Sequence, residues 1–395
     1  MPPDRPLRVL MVLESTYSPT GGGGAESQVR TLAGAMRRAG HEVTVLTPML
    51  PRGSQKTAER CKGVPVGRIA YPRKPLVGAA ILAAKLGAFL LGRGRRYDAW
   101  HVHIAHHMGA VTCLVGSIVG KPVVVKISGW WELERGVLAP GRGPLATVAC
   151  AMLKRATTLQ AISTRIAGEL EKNGFPSDRI VVLPNGVDTT RFGGGHAARA
   201  PGAPFSAVFV GRLVAEKGLE TLLGAWADAF SDRSGGRSDA RLLLVGGGPL
   251  EERLRAEAEK LGVAAQVEFL GHRDDVEAVL ARADVGVLTS TIEGLSNTLL
   301  EFMAAGLPTI ASRVSGSEDF VVDGRNGWLF DVGDRAALAK ALTEAAALAP
   351  AALAELGRNA RADVQARADV GAVMGRLFEL YAGARPAVAV AGGAR

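Results

Sequence analysis

The sequence predicts an α/β protein built from two doubly wound, Rossmann-like domains. Three observations carry that reading. β-branched runs alternate with helix-period segments twice over, a stretch without periodicity separates the two series, and 395 residues exceed one ordinary domain. Near-continuous apolar strands with helices between them belong to parallel sheets covered on both faces.

In the first series, Leu7–Leu13 is a buried strand followed by a glycine-rich turn. The next helix places Val29, Leu32, Ala33 and Met36 on one face, at i, i+3, i+4 and i+7. Gly40 ends that helix, and Glu42–Leu46 is the second strand. Further strands are expected at Trp100–Ile104, Pro122–Ile127, Thr158–Ile162 and Ile180–Leu183. Residues 193–204, GGGHAARAPGAP, read as an interdomain linker. The alternation restarts with strands Ala207–Val210, Leu242–Val245, Val267–Leu270, Val285–Thr289, Thr309–Ala311 and Trp328–Phe330. Helices near 334–348, 351–367 and 371–383 follow, ahead of a tail, ARPAVAVAGGAR, that is expected to be disordered. The domains are therefore expected at 1–198 and 199–370.

Composition bounds the class. A hydrophobic share of 47% with 22% charged residues describes a soluble globular chain. No apolar run reaches the roughly 18 residues of a spanning helix, and the short one at the N-terminus reads as a strand rather than a signal peptide. Cys61, Cys113 and Cys150 are far apart and lack metal-ligand spacing, so a reducing cytoplasm is expected. Residues 1–198 hold 26 Lys/Arg against 12 Asp/Glu, whereas residues 199–395 hold 21 against 26. The basic half is expected to face an anion. Nucleic acid is not expected, because no nucleic-acid-binding motif occurs; a phosphate-bearing substrate or a membrane surface fits better.

Ligands of doubly wound sheets sit at the carboxyl ends of the strands, so the loops there carry the chemistry. Gly21–Ser27, GGGGAES, joins the first strand to its helix and lets a phosphate approach the helix N-terminus, with Gly23 and Gly24 nearest. A tight turn is the other reading. A dinucleotide fingerprint fails, since the G-x-G-x-x-G spacing breaks at Ser27 and strand two ends without an acid. In VFVGRLVAEKGLE, Arg212 and Lys217 follow a strand and suit a diphosphate, unless they are ordinary surface charges. In TSTIEGLSNTLLEFMAAG, Glu293 and Glu301 flank the start of a helix near Asn297. The backbone N–H groups of that helix start, around Asn297 and Thr298 and beside Ser296, are expected to make a diphosphate cradle, and a carboxylate accepts the vicinal hydroxyls of a sugar.

These segments together resemble a family-four retaining glycosyltransferase of GT-B fold. The resemblance rests on GGGGAE, AISTRIAGELEKNGFPSDRIVVLPNGVDTTRF, GRLVAEKG, LLLVGGGPL, VEFLGHRDDV and EGLSNTLLE, in the family's order over roughly residues 7–345. It implies a donor bound in a cleft between the halves. Arg212 and Lys217 would then hold its pyrophosphate, Glu301 the ribose, and Glu293 the sugar hydroxyls near the reacting carbon. Residues 270–273, including His272, would lie beside the base, and the helix near 371–383 would cross back onto the first domain. Two departures stand out. Ser128 occupies the place of a common histidine, with His103 as either a substitute or a satisfied strand-end histidine, and the usual EGFG is EGLS at Glu293–Ser296.

The expected reaction is metal-independent, since no Asp-x-Asp occurs, and it needs no cofactor beyond a UDP- or GDP-sugar donor substrate. The acceptor is expected to be a glycan or lipid-linked, in cell-surface polysaccharide or glycolipid synthesis. The alternatives are a same-fold sugar-nucleotide epimerase or hydrolase, or a non-catalytic sugar-nucleotide-binding protein. Residues 73–98 have an apolar centre flanked by Arg73, Lys74, Arg93, Arg95 and Arg96 and read as an interfacial helix. A core-packed helix with a solvated basic end is the competing reading. Peripheral attachment to an anionic membrane surface is the expectation carried forward.

Overall fold

The computed structural model describes residues 5–18, 23–50, 55–72, 74–193, 200, 202–231 and 239–383. Gly21, Gly22, Arg73, most of the expected linker and the expected tail lie outside them. The chain divides into two compact units, Met1–Gly186 with Val370–Arg395, and Val187–Asp369.

The first unit runs β1 (Arg8–Val12), α1 (Gly24–Arg38), β2 (Glu42–Pro48), β3 (Ala58–Cys61), β4 (Val64–Ile69), α2 (Pro75–Leu91), β5 (Ala99–Val102), α3 (His107–Val119), β6 (Val123–Ile127), α4 (Trp131–Glu134), α5 (Pro144–Leu153), β7 (Thr158–Ala161), α6 (Thr164–Lys172) and β8 (Ile180–Val182). The second runs β9 (Ser206–Val210), α7 (Leu219–Phe230), β10 (Arg241–Val245), α8 (Glu251–Lys260), β11 (Val267–Gly271), α9 (Val276–Leu280), β12 (Val285–Leu288), α10 (Asn297–Ala304), β13 (Thr309–Ser312), α11 (Ser315–Phe320), β14 (Gly327–Phe330), α12 (Arg335–Ala347) and α13 (Pro350–Ala368). The last helix, α14 (Val370–Tyr381), belongs to the first unit again.

The first sheet has the order β3-β4-β2-β1-β5-β6-β7-β8 and the second β11-β10-β9-β12-β13-β14. Every pairing is parallel except β3 with β4. The order reverses direction between β1 and β5 in one sheet and between β9 and β12 in the other. Loops leaving the carboxyl ends of these strand pairs diverge, which opens a crevice for a ligand.

Each unit has its own core. In the first, Val29, Leu32 and Met36 of α1 pack with Val373, Leu377 and Phe378 of α14 over the β1–β2 strands. In the second, α7 and α12 lie together, and Leu222, Trp226, Leu338 and Leu342 are fully buried with β9 and β10.

Two features differ from the sequence expectation. The partition falls at Gly186/Val187, ahead of the glycine-rich stretch. Gln28 of α1 grips Gly186 through both backbone groups at 3.0 Å, which fixes the chain to the first unit up to that residue. The antiparallel hairpin β3–β4 was unforeseen; Lys62 (φ 47°) and Gly63 (φ 82°) form its two-residue turn, both in the left-handed region.

Candidate functional site

The second sheet's switch point gathers most of the residues singled out from the sequence. After β9 the chain passes exposed Arg212 and enters a single 3₁₀ turn, Ala215–Lys217. Gly218 then turns it into α7 with φ 61°, and a Cβ there would sit 2.2 Å from the Thr289 carbonyl oxygen. Only glycine allows the β9 loop to lie this close to the β12 loop. Thr289 Oγ1 donates to the Lys217 carbonyl at 2.7 Å, and Thr291 N to the Glu216 carbonyl at 2.8 Å, so the two loops are stitched together.

Their juxtaposition makes a charge pair: Lys217 Nζ donates to Glu293 Oε1, and Ser290 Oγ donates to the same oxygen at 3.1 Å. Both side chains are about one-fifth exposed. Arg212 has no side-chain partner among the described residues. Ser296 is the N-cap of α10 without a side-chain cap bond, so the first N–H groups of that helix are not satisfied by it. Thr298 Oγ1 donates to the Val210 carbonyl at 3.2 Å, which seats the helix start beside the end of β9.

Glu301 lies on the first turn and a half of α10, partly buried, without a side-chain partner among the described residues. Burial pushes its carboxyl up to about 7, Glu277 adds to the rise, and Arg191 opposes it. Arg191 is occupied with Glu277 at 2.7 Å. His272 follows β11 and is exposed, 3.8 Å from Asp274.

The first sheet's switch point holds a different set. Gly23 caps α1, and its N–H donates to Glu26 Oε2 at 2.8 Å; Gly24 opens the helix. Ser128 does not present a free hydroxyl. Its N–H and Oγ–H both donate to Glu132 Oε1 at 2.6 Å, Gly129 N donates to the same oxygen at 2.9 Å, and Ala105 N donates to Oε2 at 2.6 Å. Glu132 is fully buried, and burial raises its carboxyl to about 7 against the pull of these four donors.

His103, the candidate substitute for a histidine at Ser128, is not exposed. It is buried, stacked on His101 at 4.1 Å, with neither ring nitrogen bonded among the described residues, and burial holds it well below the usual histidine range. His101, Lys126 and Gln160 share this sheet face with His103 and line a small cavity beneath α14. Burial lowers Lys126 to about 7, with Glu132 opposing.

Sequence reasoning missed Glu14 and His106. Glu14 Oε1 pairs with His106 Nδ1 at 2.8 Å, and its other oxygen accepts Met108 N at 2.6 Å. The Glu14 contact raises the pKa of His106. Trp131, 44% exposed, has its ring 6.3 Å from that of His106.

Residues 204–347 match the family "Glycosyl transferases group 1", and residues 22–191 match "Glycosyltransferase Family 4". A D-inositol 3-phosphate glycosyltransferase of Acidothermus cellulolyticus is 32% identical over 366 residues, covering 86% of this chain and 81% of that relative. A relative in Escherichia coli (strain K12), provisionally named a colanic acid biosynthesis glycosyltransferase, is 33% identical over 222 residues. That match spans 54% of this chain and only 53% of the relative. In fold, the chain is similar to Anabaena HepE, solved in complex with UDP, at a TM-score of 0.73 and 21% identity over 95% of this chain and 100% of that one.

Proposed function

Because this chain belongs to the group 1, family-four glycosyl transferases of GT-B fold, we propose that it moves a sugar from a nucleoside-diphosphate donor to a glycan or lipid-linked acceptor. The transfer retains anomeric configuration, needs no metal, and serves cell-surface polysaccharide or glycolipid synthesis from the cytoplasmic side.

The observation that carries this reading is the Lys217–Glu293 pair beside Arg212 and the start of α10. A diphosphate carries more charge than one carboxylate and is the stronger partner for Lys217. On donor binding, Lys217 turns to phosphate and Glu293 is released to accept sugar hydroxyls. Arg212 adds a bidentate contact, and the first N–H groups of α10, around Ser296, Asn297 and Thr298, add a partial positive charge. Together these offset the charge that develops on the leaving diphosphate. Glu301 accepts the ribose hydroxyls, and His272 lies towards the base. The sequence singles out no enzymic nucleophile, so the acceptor attacks from the departing side and the leaving phosphate takes its proton.

The test is a screen of UDP- and GDP-sugars with glycan and lipid-linked acceptors, reading nucleoside diphosphate release and the anomer formed. Release that requires an acceptor, with a retained anomer, is the expected result, and it persists in EDTA. Acceptor-independent turnover marks an epimerase or hydrolase. Donor binding without turnover marks a silent binding protein. Complete loss in EDTA with rescue by Mg²⁺ or Mn²⁺ removes the metal-free mechanism.

A further inference from the structure

We propose that the helix layer α2–α3–α5 of the first unit is a docking face for an anionic lipid bilayer. The proposal stands on the layer's own chemistry and does not depend on sugar transfer.

A helix that covers a sheet ordinarily turns a charged stripe to solvent. This layer does not. α2 packs beside α3 and α3 beside α5, and the three helices contain no Asp or Glu. Lys85 is their single Lys or Arg, and its ammonium is bonded to the Ala70 carbonyl at 2.8 Å. Leu76, Val77 and Leu91 of α2, Ile118 of α3, and Leu145 and Val148 of α5 are each between 48% and 75% exposed. Among the described residues, six of the ten exposed large apolar side chains are therefore on this layer. Along α2, exposed Ala80, Ala84 and Ala88 continue the apolar stripe between Val77 and Leu91. A concentration of this kind marks an interaction surface rather than scattered exposure.

The layer is also edged with positive charge. α2 runs into a 3₁₀ turn whose Arg93, Arg95 and Arg96 are exposed, α3 is followed by Lys121, and α5 by Lys154 and exposed Arg155. All three helices return between parallel strands, so their C-terminal ends lie together at the amino ends of the strands. Lys121 Nζ reaches the Arg95 carbonyl at 3.4 Å, which ties two of these ends together. The nearby acid Asp98 is occupied by Arg5 and by the Arg8 N–H, both at 2.7 Å. An apolar face bordered by cations complements the acyl boundary and the phosphate level of an anionic leaflet. No single helix among the described residues is long and apolar enough to cross a membrane, so the layer lies on the bilayer. The membrane surface expected from residues 73–98 thus widens from α2 to three helices.

Co-sedimentation of the full chain with phosphatidylcholine vesicles, with and without phosphatidylglycerol, tests this. The parent is expected to pellet with the acidic vesicles at low salt and to be released at about 0.5 M NaCl, where charges are screened within a few ångströms. Substituting Leu76→Ser, Val77→Ser, Leu145→Ser and Val148→Ser together should weaken partition by roughly tenfold or more. Arg93→Gln, Arg95→Gln and Arg96→Gln together should do the same. Circular dichroism and melting temperature near those of the parent establish that both variants fold. Sedimentation velocity of the lipid-free parent should give a monomer. A parent that never pellets, or variants that pellet as well as it does, overturn the proposal. A parent dimer that the apolar variant dissociates also overturns it, and identifies the layer as a contact between copies.

Discussion

Lys217 and Glu293 are bound to each other, so the proposed donor would have to exchange one ion pair for another. Arg212→Ala and Lys217→Ala should each lower donor turnover by roughly tenfold to a hundredfold, the loss of about 1.5–3 kcal/mol from one charge-assisted phosphate contact. Melting temperature should change little, because Arg212 is exposed and Lys217 partly so. Unchanged kinetics in the double variant would remove the diphosphate assignment. Glu293→Gln should depress kcat more than nucleotide affinity, whereas Glu301→Gln should weaken binding of bare UDP or GDP, as calorimetry reads directly. Glu301 adds a pH signature. Its folded pKa, near 7, lies above the unfolded value, so its contribution to stability is complete at low pH and is lost as pH rises through about 7. Glu301→Gln should match the parent's stability near pH 4, below the unfolded value, and exceed it near pH 8, by on the order of 1–3 kcal/mol. Donor affinity in the parent should run the other way, rising through pH 7 as the carboxylate forms. A Gln variant less stable than the parent at pH 8 contradicts this account. The meeting of Lys217 and Glu293 was legible in the sequence because each stands at a short offset from a strand end or a helix start. Glu14, His106 and Glu132 were not, because they come from three connections, distant in sequence, that only the strand order β1–β5–β6 brings together.

Elements built on apolar periodicity follow the pattern that burial imposes; β9 through β14 fall within a residue or two of expectation, and α1 buries the expected face and ends just before Gly40. The β3–β4 hairpin escaped notice because its strands are short and half-polar, and Lys62-Gly63 is a weak turn signal beside Asn-Gly. α2 was recognised as apolar, yet its solvent side could not be told from its core side until α3 was seen beside it. The loop–helix junction at Gly218 makes the strongest element-level prediction. Gly218→Ala meets both a left-handed backbone and an oxygen 2.2 Å from the new Cβ, so the β9 and β12 loops have to separate. The cost should be about 2–4 kcal/mol, with donor turnover falling as Lys217 moves. Gly262→Ala is the control: its φ of 73° carries the same backbone strain, but nothing lies within 4 Å. It should cost only about 1–2 kcal/mol and leave turnover unchanged. Equal melting temperatures for the two variants would show that the loops can yield without loss.

At the scale of the molecule, the chain leaves its first unit at Gly186 and returns to it at Val370, so the first unit is completed only by the last helix. Val373, Leu377, Phe378, Leu380 and Tyr381 are each no more than 5% exposed, and Tyr381 Oη shares a 2.7 Å hydrogen bond with His101 Nδ1 on β5. Burying five such side chains contributes about 8–15 kcal/mol, comparable with the whole stability of a domain. A chain ending at Asp369 should therefore fail to fold its first unit, despite retaining every strand of that sheet. The second unit has its own core and loses none of it, so hydrogen exchange should show protection kept in β9–β14 and lost in β1–β8. Nucleotide contacts assigned to Arg212, Glu301 and α10 lie wholly in the second unit, so calorimetry should still detect UDP or GDP binding by the truncated chain, while acceptor-dependent transfer disappears. If β1–β8 stay protected in the truncated chain, α14 is a removable cover, and the first unit's stability has to come from its sheet and from α1–α6 alone.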